Sequence, residues 1–401
     1  MHCRNEKSGE SDGGHLDTGM DSGVNRHRAA TNHAPNNHKQ QGEEIMRYML
    51  KSITVCVFAA FAFSGSGIAG NNPVDEKWWP SEFGPDDQAG GTNYITPQKR
   101  IDAAKLVKKG KMALLGHPYS NHMPLVPGRT FALSIPGAPT HGPLNWPGDN
   151  FSMTFMDEIV TAEIGQVGTQ WDGLAHPMIR VQGVEGWKDG DYFYNKNRLQ
   201  DTETARGMTK VGTEQAGGFF TRGLLIDIAA LKGVKVLPKG YAITLADYKE
   251  ALAKQGVKDA MQGDVVLFRT GWNSLWKTNH LGRPAGEKAK SDEQLAKDNA
   301  EFGSGEPGVS PEVCDHLASK KISMIGSDTW GLEPYDFAKS GAPESFAYCH
   351  MNLVARRGIY NFENLDLDEP SADKAYEFLF SWAPLKLVGA TGSPGNPIAA
   401  Y

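Results

Sequence analysis

Three apolar runs set the tightest limit on how this chain folds. Gly223-Leu224-Leu225-Ile226-Asp227-Ile228-Ala229, Asp264-Val265-Val266-Leu267-Phe268-Arg269-Thr270-Gly271-Trp272 and Ile322-Ser323-Met324-Ile325-Gly326 are short and rich in aliphatic and β-branched residues. That composition suits strands buried within a sheet. The second and third turn abruptly polar, at Arg269-Thr270 and at Ser327-Asp328-Thr329, which is how a strand delivers side chains to a cleft. Helices alternate with them. Thr244 to Asp247 opens one that Gly256 closes, Ser310-Pro311 caps another running through Lys320, and Thr96-Pro97 starts an earlier one. This last carries an apolar face of Ile101, Ala104, Leu106 and Val107 and ends at Gly110. Taken alone, the alternation reads as mixed α and β.

At 401 residues and 39% hydrophobic content, the chain can bury a large core in one or two domains. A net charge of -6 with no Lys/Arg stripe gives no electrostatic reason to expect nucleic acid, and small-molecule chemistry is the better expectation. Residues 1–45 hold five of the twelve histidines (His2, His15, His27, His33, His38) without regular spacing. Almost free of large aliphatic residues, they read as a disordered extension. Residues 46–69 have the three parts of a secretory signal peptide: basic Met46-Arg47-Tyr48-Met49-Leu50-Lys51, an apolar run from Ile53 to Phe63, and small residues up to Ala69. The run is too short for a stable membrane span. On this reading translation starts at Met46, the mature protein begins near Gly70 and is periplasmic or secreted, and residues 73–401 form a single catalytic domain. Cys3 and Cys56 would leave with the leader. An oxidising compartment allows Cys314 and Cys349 to pair, but Cys349 directly precedes His350, and two unpaired, buried thiols are the expectation.

Potential metal ligands and proton carriers concentrate in Gln166-Val167-Gly168-Thr169-Gln170-Trp171-Asp172-Gly173-Leu174-Ala175-His176-Pro177. If this stretch is extended up to Asp172, then Gln166, Gly168, Gln170 and Asp172 share a face. Gly173 permits a change of direction that folds His176 back onto that face. The ordinary alternative is a structural turn, since Asp-Gly is a common turn signal and Gln on a strand face usually meets water. These residues alone leave the two readings evenly balanced.

A longer series of blocks goes further. Gly168-Thr169, Asp172 and His176 fall in the pattern His-x-Gly-Thr-His-x-Asp-x-x-x-His, with Gln166 and Gln170 at its first two histidine places. Gly263-Asp264 with Arg269-Thr270-Gly271-Trp272, Gly326-Ser327-Asp328-Thr329, His350, Gly358-Ile359, Glu363-Asn364-Leu365 and Gly392-Ser393-Pro394 follow in order. From about residue 78 to 395 the chain thereby resembles the cyclase family that includes kynurenine formamidase and isatin hydrolase. The resemblance implies an α/β fold of the swivelling β/β/α kind, with a mixed sheet closing towards a barrel, flanking helices and, often, a homodimer.

It also implies a divalent metal, manganese or zinc, with Gln166, Gln170, Asp172 and His176 as its ligands. His176, His350 and Glu363 become the catalytic residues; Trp171 and Asp328 are the expected substrate contacts, Asp328 reading equally as the cap of a turn at its strand end. Amide oxygens are harder and weaker ligands than imidazole, so such a site favours manganese, magnesium or calcium more than an ordinary histidine site does. A bound divalent cation lowers the pKa of its water towards ~7 and polarises a carbonyl, which suits hydrolysis of an amide or lactone. The expectation is an exported, arylformamidase-like hydrolase of a non-peptide amide, cyclic amide or lactone, a chemistry found in tryptophan catabolism. Its partner is a small-molecule substrate. Two alternatives are a binding protein that kept the fold and lost turnover, and a cofactor-free lyase or isomerase using His176 and Glu363.

Overall fold

The computed structural model describes residues 73–74, 76–126, 128–137, 139–145, 150–276, 291–337 and 347–401. The extension expected over 1–45, the leader expected over 46–69, and Cys3 and Cys56 lie outside the described residues. Nine strands form the main sheet. In chain order they are β1 (Met112–Leu114), β2 (Gln170–Asp172), β3 (Phe219–Asp227), β4 (Val265–Arg269), β5 (Met324–Ser327), β6 (Tyr360–Glu363), β7 (Glu377–Trp382), β8 (Gly392–Pro394) and β9 (Ile398–Ala400). Their order across the sheet is β1-β9-β7-β3-β4-β5-β6-β2-β8. The β3-β4-β5-β6 ladders are parallel, and the pairs on either side of them are antiparallel.

The connection from β8 to β9 fixes the curvature. In a flat sheet these strands would stand seven positions apart, roughly 34 Å at the usual strand spacing. Only Gly395, Asn396 and Pro397 join them, and that link reaches at most about 14 Å. The sheet therefore curls towards a barrel, and past the end of β1 the His117 N–H reaches Thr169 Oγ1 at 2.8 Å while Gly116 forms a bridge with Leu365.

Alternation within the parallel strands sorts their side chains into two cores. Leu225, Leu267, Phe362, Phe378 and Phe380 pack on one face with Trp171. Leu224, Ile226, Val266, Phe268 and Ile325 pack on the other, against helices α2 (Leu245–Gln255) and α3 (Pro311–Ser319). Burial on both faces is why these strands read as continuous apolar runs. α2 has a capping box between Thr244 and Asp247 and ends at Gly256 in the left-handed conformation, as the sequence indicates. The earlier helix, Pro97–Ala104, starts on a Thr96 cap but stops short of Gly110, and Ile101 is exposed while Ala103 is buried. Its expected apolar face is displaced by packing of the smaller residue. Arg269 pairs with Asp227 and Asp368, a structural role.

Between β1 and β2 the chain leaves the sheet as a narrow two-stranded arm. Phe131–Ser134 pairs with Ile159–Ala162, and beyond them His141–Asn145 pairs with Ser152–Phe155. His141 sits exposed on this arm, paired with Asp157 at 3.1 Å. Among the described residues no helix is long and apolar enough to cross a membrane.

Cys314 and Cys349 are disulfide-bonded, with Cα atoms 5.7 Å apart, which corrects the expectation of two free thiols. The bond ties α3 to the residue before His350, inside the helix-covered core. Closing a loop of 35 residues contributes about 3–4 kcal/mol through the unfolded chain. Denaturant unfolding of Cys314→Ala/Cys349→Ala should therefore give a stability lower than wild type by that amount. Equal stability would mean that the bond carries no load.

Candidate active site

β2 and β6 bring the functional side chains together by register. Asn361 lies directly opposite Asp172, and Glu363 opposite Gln170, so four polar side chains share the face away from the aromatic core. Trp171, between Gln170 and Asp172, necessarily points the other way. It is fully buried and stacked on Tyr360 with ring centroids 4.7 Å apart. The substrate contact expected of Trp171 is thereby corrected: the residue is part of the core. Gln166 does not arrive on an extended strand, since only 170–172 are strand. A bend carries it back, and its Nε2 donates to Asp172 Oδ1 at 2.9 Å. Gly168 makes that bend possible, because its φ is +69° and an added Cβ would lie 2.4 Å from the Tyr119 ring.

His350 opens a helical turn, His350–Ala355, wound as a π-helix, a local form common at functional sites. Its Nε2 is 3.3 Å from Asp172 Oδ2 and 3.2 Å from Glu363 Oε1. Its Nδ1 faces Glu333 at 2.8 Å, and its backbone N–H donates to the same carboxylate at 3.0 Å. His176 stands at the mouth, 27% exposed, with Nε2 3.9 Å from Asp172 Oδ1. Glu306 is buried behind the site and accepts the backbone N–H groups of Trp330 and Gly331 at 2.8 and 2.6 Å.

Sequence reasoning missed Glu333, Asn361 and Glu306. Asn361 alone had a readable signal, lying two residues before Glu363 on a strand. Asp328 caps a turn: its carboxylate accepts Thr270 N–H at 2.9 Å, Thr270 Oγ1–H at 2.6 Å and Gly271 N–H at 2.7 Å. It is not among the residues lining the cleft, so its expected substrate contact is also corrected.

The surroundings divide the proton affinities. Burial raises Glu363, the Asp172 charge raises it further, and donation from His350 and Gln170 only partly offsets this, leaving it at about 7. Burial would also raise Asp172, but attraction to His176, the His350 contact and the Gln166 amide prevail and hold it at about 2. His350 is pushed down by burial and up by the Glu333 charge and its three carboxylate contacts, and ends well above the usual histidine value. His176 goes the other way: burial lowers it more than Asp172 raises it, so it is neutral near pH 7. Glu306 is raised by burial and by Glu363 and Glu333.

Asp172, His350 and Glu363 each offer one ligand atom, all within 4.8 Å of one another, and this trio can hold a cation. Two buried oxygens beside it, Gln170 Oε1 and Asn361 Oδ1, have no hydrogen-bond partner, as an oxygen-rich cation site requires. Of the expected ligands Asp172 and His176, only Asp172 belongs to the trio. Gln166 and Gln170 instead turn N–H groups towards Asp172 and Glu363, and His176 stays at the rim. The cleft above the trio has a volume of about 610 Å³, within the range of small-molecule sites. Arg129, Gln166, His176, Glu333 and His350 supply its polar walls, and Ile179 and Met351 apolar ones.

A cation must displace protons from both Glu363 and the His350 Nε2, since both groups are raised. Manganese affinity should therefore be at least about tenfold tighter at pH 8 than at pH 6. Calorimetric titration at the two pH values measures this, and Glu363→Gln should weaken binding and reduce the dependence without abolishing it, because the His350 proton remains to be displaced.

A profile of the family described as Putative cyclase matches residues 114–334, which include Asp172, His176 and Glu333 and stop before His350. The isatin hydrolase of Roseibium aggregatum is 30% identical over 138 residues, 34% of this chain and 44% of that protein. The match thus spans less than half of the relative's length. A crystal structure of a novel cyclase, 30% identical, covers 80% of this chain and 96% of its own, with a TM-score of 0.62. Isatin hydrolase A from Labrenzia aggregata, solved with benzyl benzoate, is 18% identical over 72% of this chain and 93% of its own, with a TM-score of 0.46.

Proposed function

The chain belongs to the cyclase family, and on that premise we propose that it is a metal-dependent hydrolase of a non-peptide amide, cyclic amide or lactone. One observation carries the reading: Asp172, His350 and Glu363 converge from strands and a turn up to 191 residues apart in sequence, beneath a cleft whose rim holds a neutral histidine. Asp172, His350 and Glu363 would hold the metal, and the oxygen-rich surroundings favour manganese or magnesium over zinc. When bound, the metal supplies Lewis acidity at the scissile carbonyl and to water.

His176 acts as general base. Its neutral imidazole takes a proton from the attacking water, and Asp172, 3.9 Å away, stabilises the imidazolium so formed. The proton passes to the departing nitrogen or oxygen as the carbonyl carbon's bond to it breaks, leaving a carboxylate and an amine or alcohol. Arg129, at the cleft wall, offers a positive charge to that carboxylate. The apolar wall of Ile179 and Met351 fits an aryl or cyclic substrate. The sequence relation to an isatin hydrolase supports a cyclic amide such as isatin as the first compound to try, with aryl formamides beside it.

Manganese-loaded protein should hydrolyse one of these classes, and a chelator should stop it. His176→Ala should lower kcat by about 100-fold or more while metal content stays unchanged. In the wild type kcat/KM should fall on acidification with a midpoint below 6.5, because His176 must be neutral and its pKa is lowered. Stoichiometric metal without turnover on any of the three substrate classes would leave a binding protein instead.

We also propose that the protein is exported. The signal-like 46–69 segment is the motive, and the Cys314–Cys349 disulfide supports an oxidising compartment. N-terminal sequencing of secreted or periplasmic material should return a start near Gly70. Intact chain from Met1 in the cytosol overturns it.

A further inference from the structure

The turn that presents His350 has a second cavity at its other end. His350 and Met351, at its start, line the catalytic cleft, whereas Arg356 and Arg357, which follow it, line a separate space of about 350 Å³. That volume is at the small end of ligand sites. Its charge is opposite to that of the cleft. Lys77 and Lys321 join the two arginines there, against only the carboxylates of Glu76 and Glu82, in a chain whose net charge is -6.

The excess is greatest at the adjacent guanidiniums. Arg356, its side chain 1% exposed, pairs through Nη2 with Glu76 and donates from Nη1 to Asn352 Oδ1 at 3.2 Å. Its Nε–H is buried with no acceptor, and a buried charged donor left unmatched is costly. Arg357, half-buried, donates from Nη1 to the Asn352 carbonyl at 3.0 Å and to the Asn352 side chain. Among the described residues its other N–H groups have no acceptor. Burial and the Arg356 charge push its pKa down, outweighing the nearby Asp315 and Glu76, which is the condition of a cation short of counter-charge. Solvated ion pairing explains the rim, where exposed Lys321 and Glu82 meet at 2.8 Å, but it does not reach the buried arginine. The remaining walls are aromatic: Trp78, Tyr194, and Phe83 set edge-on to Tyr94 with ring centroids 4.9 Å apart.

We propose that this cavity binds a small aryl carboxylate, its ring against the aromatic walls and its carboxylate on Arg356 and Arg357. A guanidinium fork matches a carboxylate, and aromatic faces take a planar ring. Inorganic phosphate would use the arginines and leave those walls wet. Binding here is independent of turnover in the cleft.

Arg129 gives the cleft its own attraction for carboxylates, so the test starts from full-length Arg129→Gln. Calorimetric titration with benzoate should give a dissociation constant in the millimolar range or tighter. Benzamide, the neutral isostere, should bind at least about tenfold more weakly, because the charge-assisted bonds are lost. Acetate should be weaker by a similar factor for want of a ring. Adding Arg357→Gln should weaken benzoate about tenfold or more with an unchanged circular dichroism spectrum, and if that variant misfolds, the benzamide comparison still decides, since it leaves the cavity intact. Absence of benzoate binding, benzamide binding as tightly, phosphate binding more tightly than benzoate, or a folded Arg357→Gln chain with undiminished affinity overturns the proposal.

Discussion

The short Gly395–Pro397 link governs the rest of the architecture. Because β8 and β9 are joined by three residues yet belong at opposite ends of the strand order, the sheet has no flat alternative. Curling gives it an inner face that aromatic side chains fill and an outer face that helices cover. It also pins β2: the Gly173 N–H meets the Thr391 carbonyl at 2.9 Å, and Gly392 lies opposite Asp172. An added Cβ at Gly173 would stand 2.6 Å from that carbonyl oxygen, so the strand can turn there only with glycine. The position of Asp172 is thus set from both flanks.

On that rigid platform the site concentrates acid around one imidazole. Asp172, Glu333 and Glu363 surround His350, and Glu306 adds a buried carboxyl behind them. Burying like charges together is costly unless protons or cations intervene. The molecule answers with a raised Glu363, a raised His350 and amide donors from Gln166, Gln170 and Asn361. Glu333 fixes which way the His350 ring faces, so Nε2 is the atom presented to the trio.

Local signals were legible in the sequence and long-range ones were not. The capping of α2 by Thr244, Asp247 and Gly256 depends on neighbours a few residues apart, and it reads directly. The two-residue period that places Gln170 and Asp172 on one face is equally readable, and followed strictly it sends Trp171 into the core. Gln166 broke the pattern because the chain bends at Gly168, where the Tyr119 ring from another segment leaves no room for a Cβ. The relation of His350 and Glu363 to Asp172 was visible only through family resemblance, while the Glu333 partnership and the disulfide depend on distances that no local pattern encodes. The exposure of the arm was likewise hidden, since a stripe of Leu, Val and Met looks the same whether it meets its own core or open water.

The order of the strands also decides when the site can exist. Both neighbours of β2 come from the last tenth or so of the chain: β6 at 360–363 and β8 at 392–394. Until those residues leave the ribosome, Gln170 and Asp172 have no strand to pair with and His350 has no Glu363. The site therefore forms only once the residues through Pro394 have been made, as expected where contacts are far apart in sequence. A chain cut before Gly392 leaves one side of β2 unpaired.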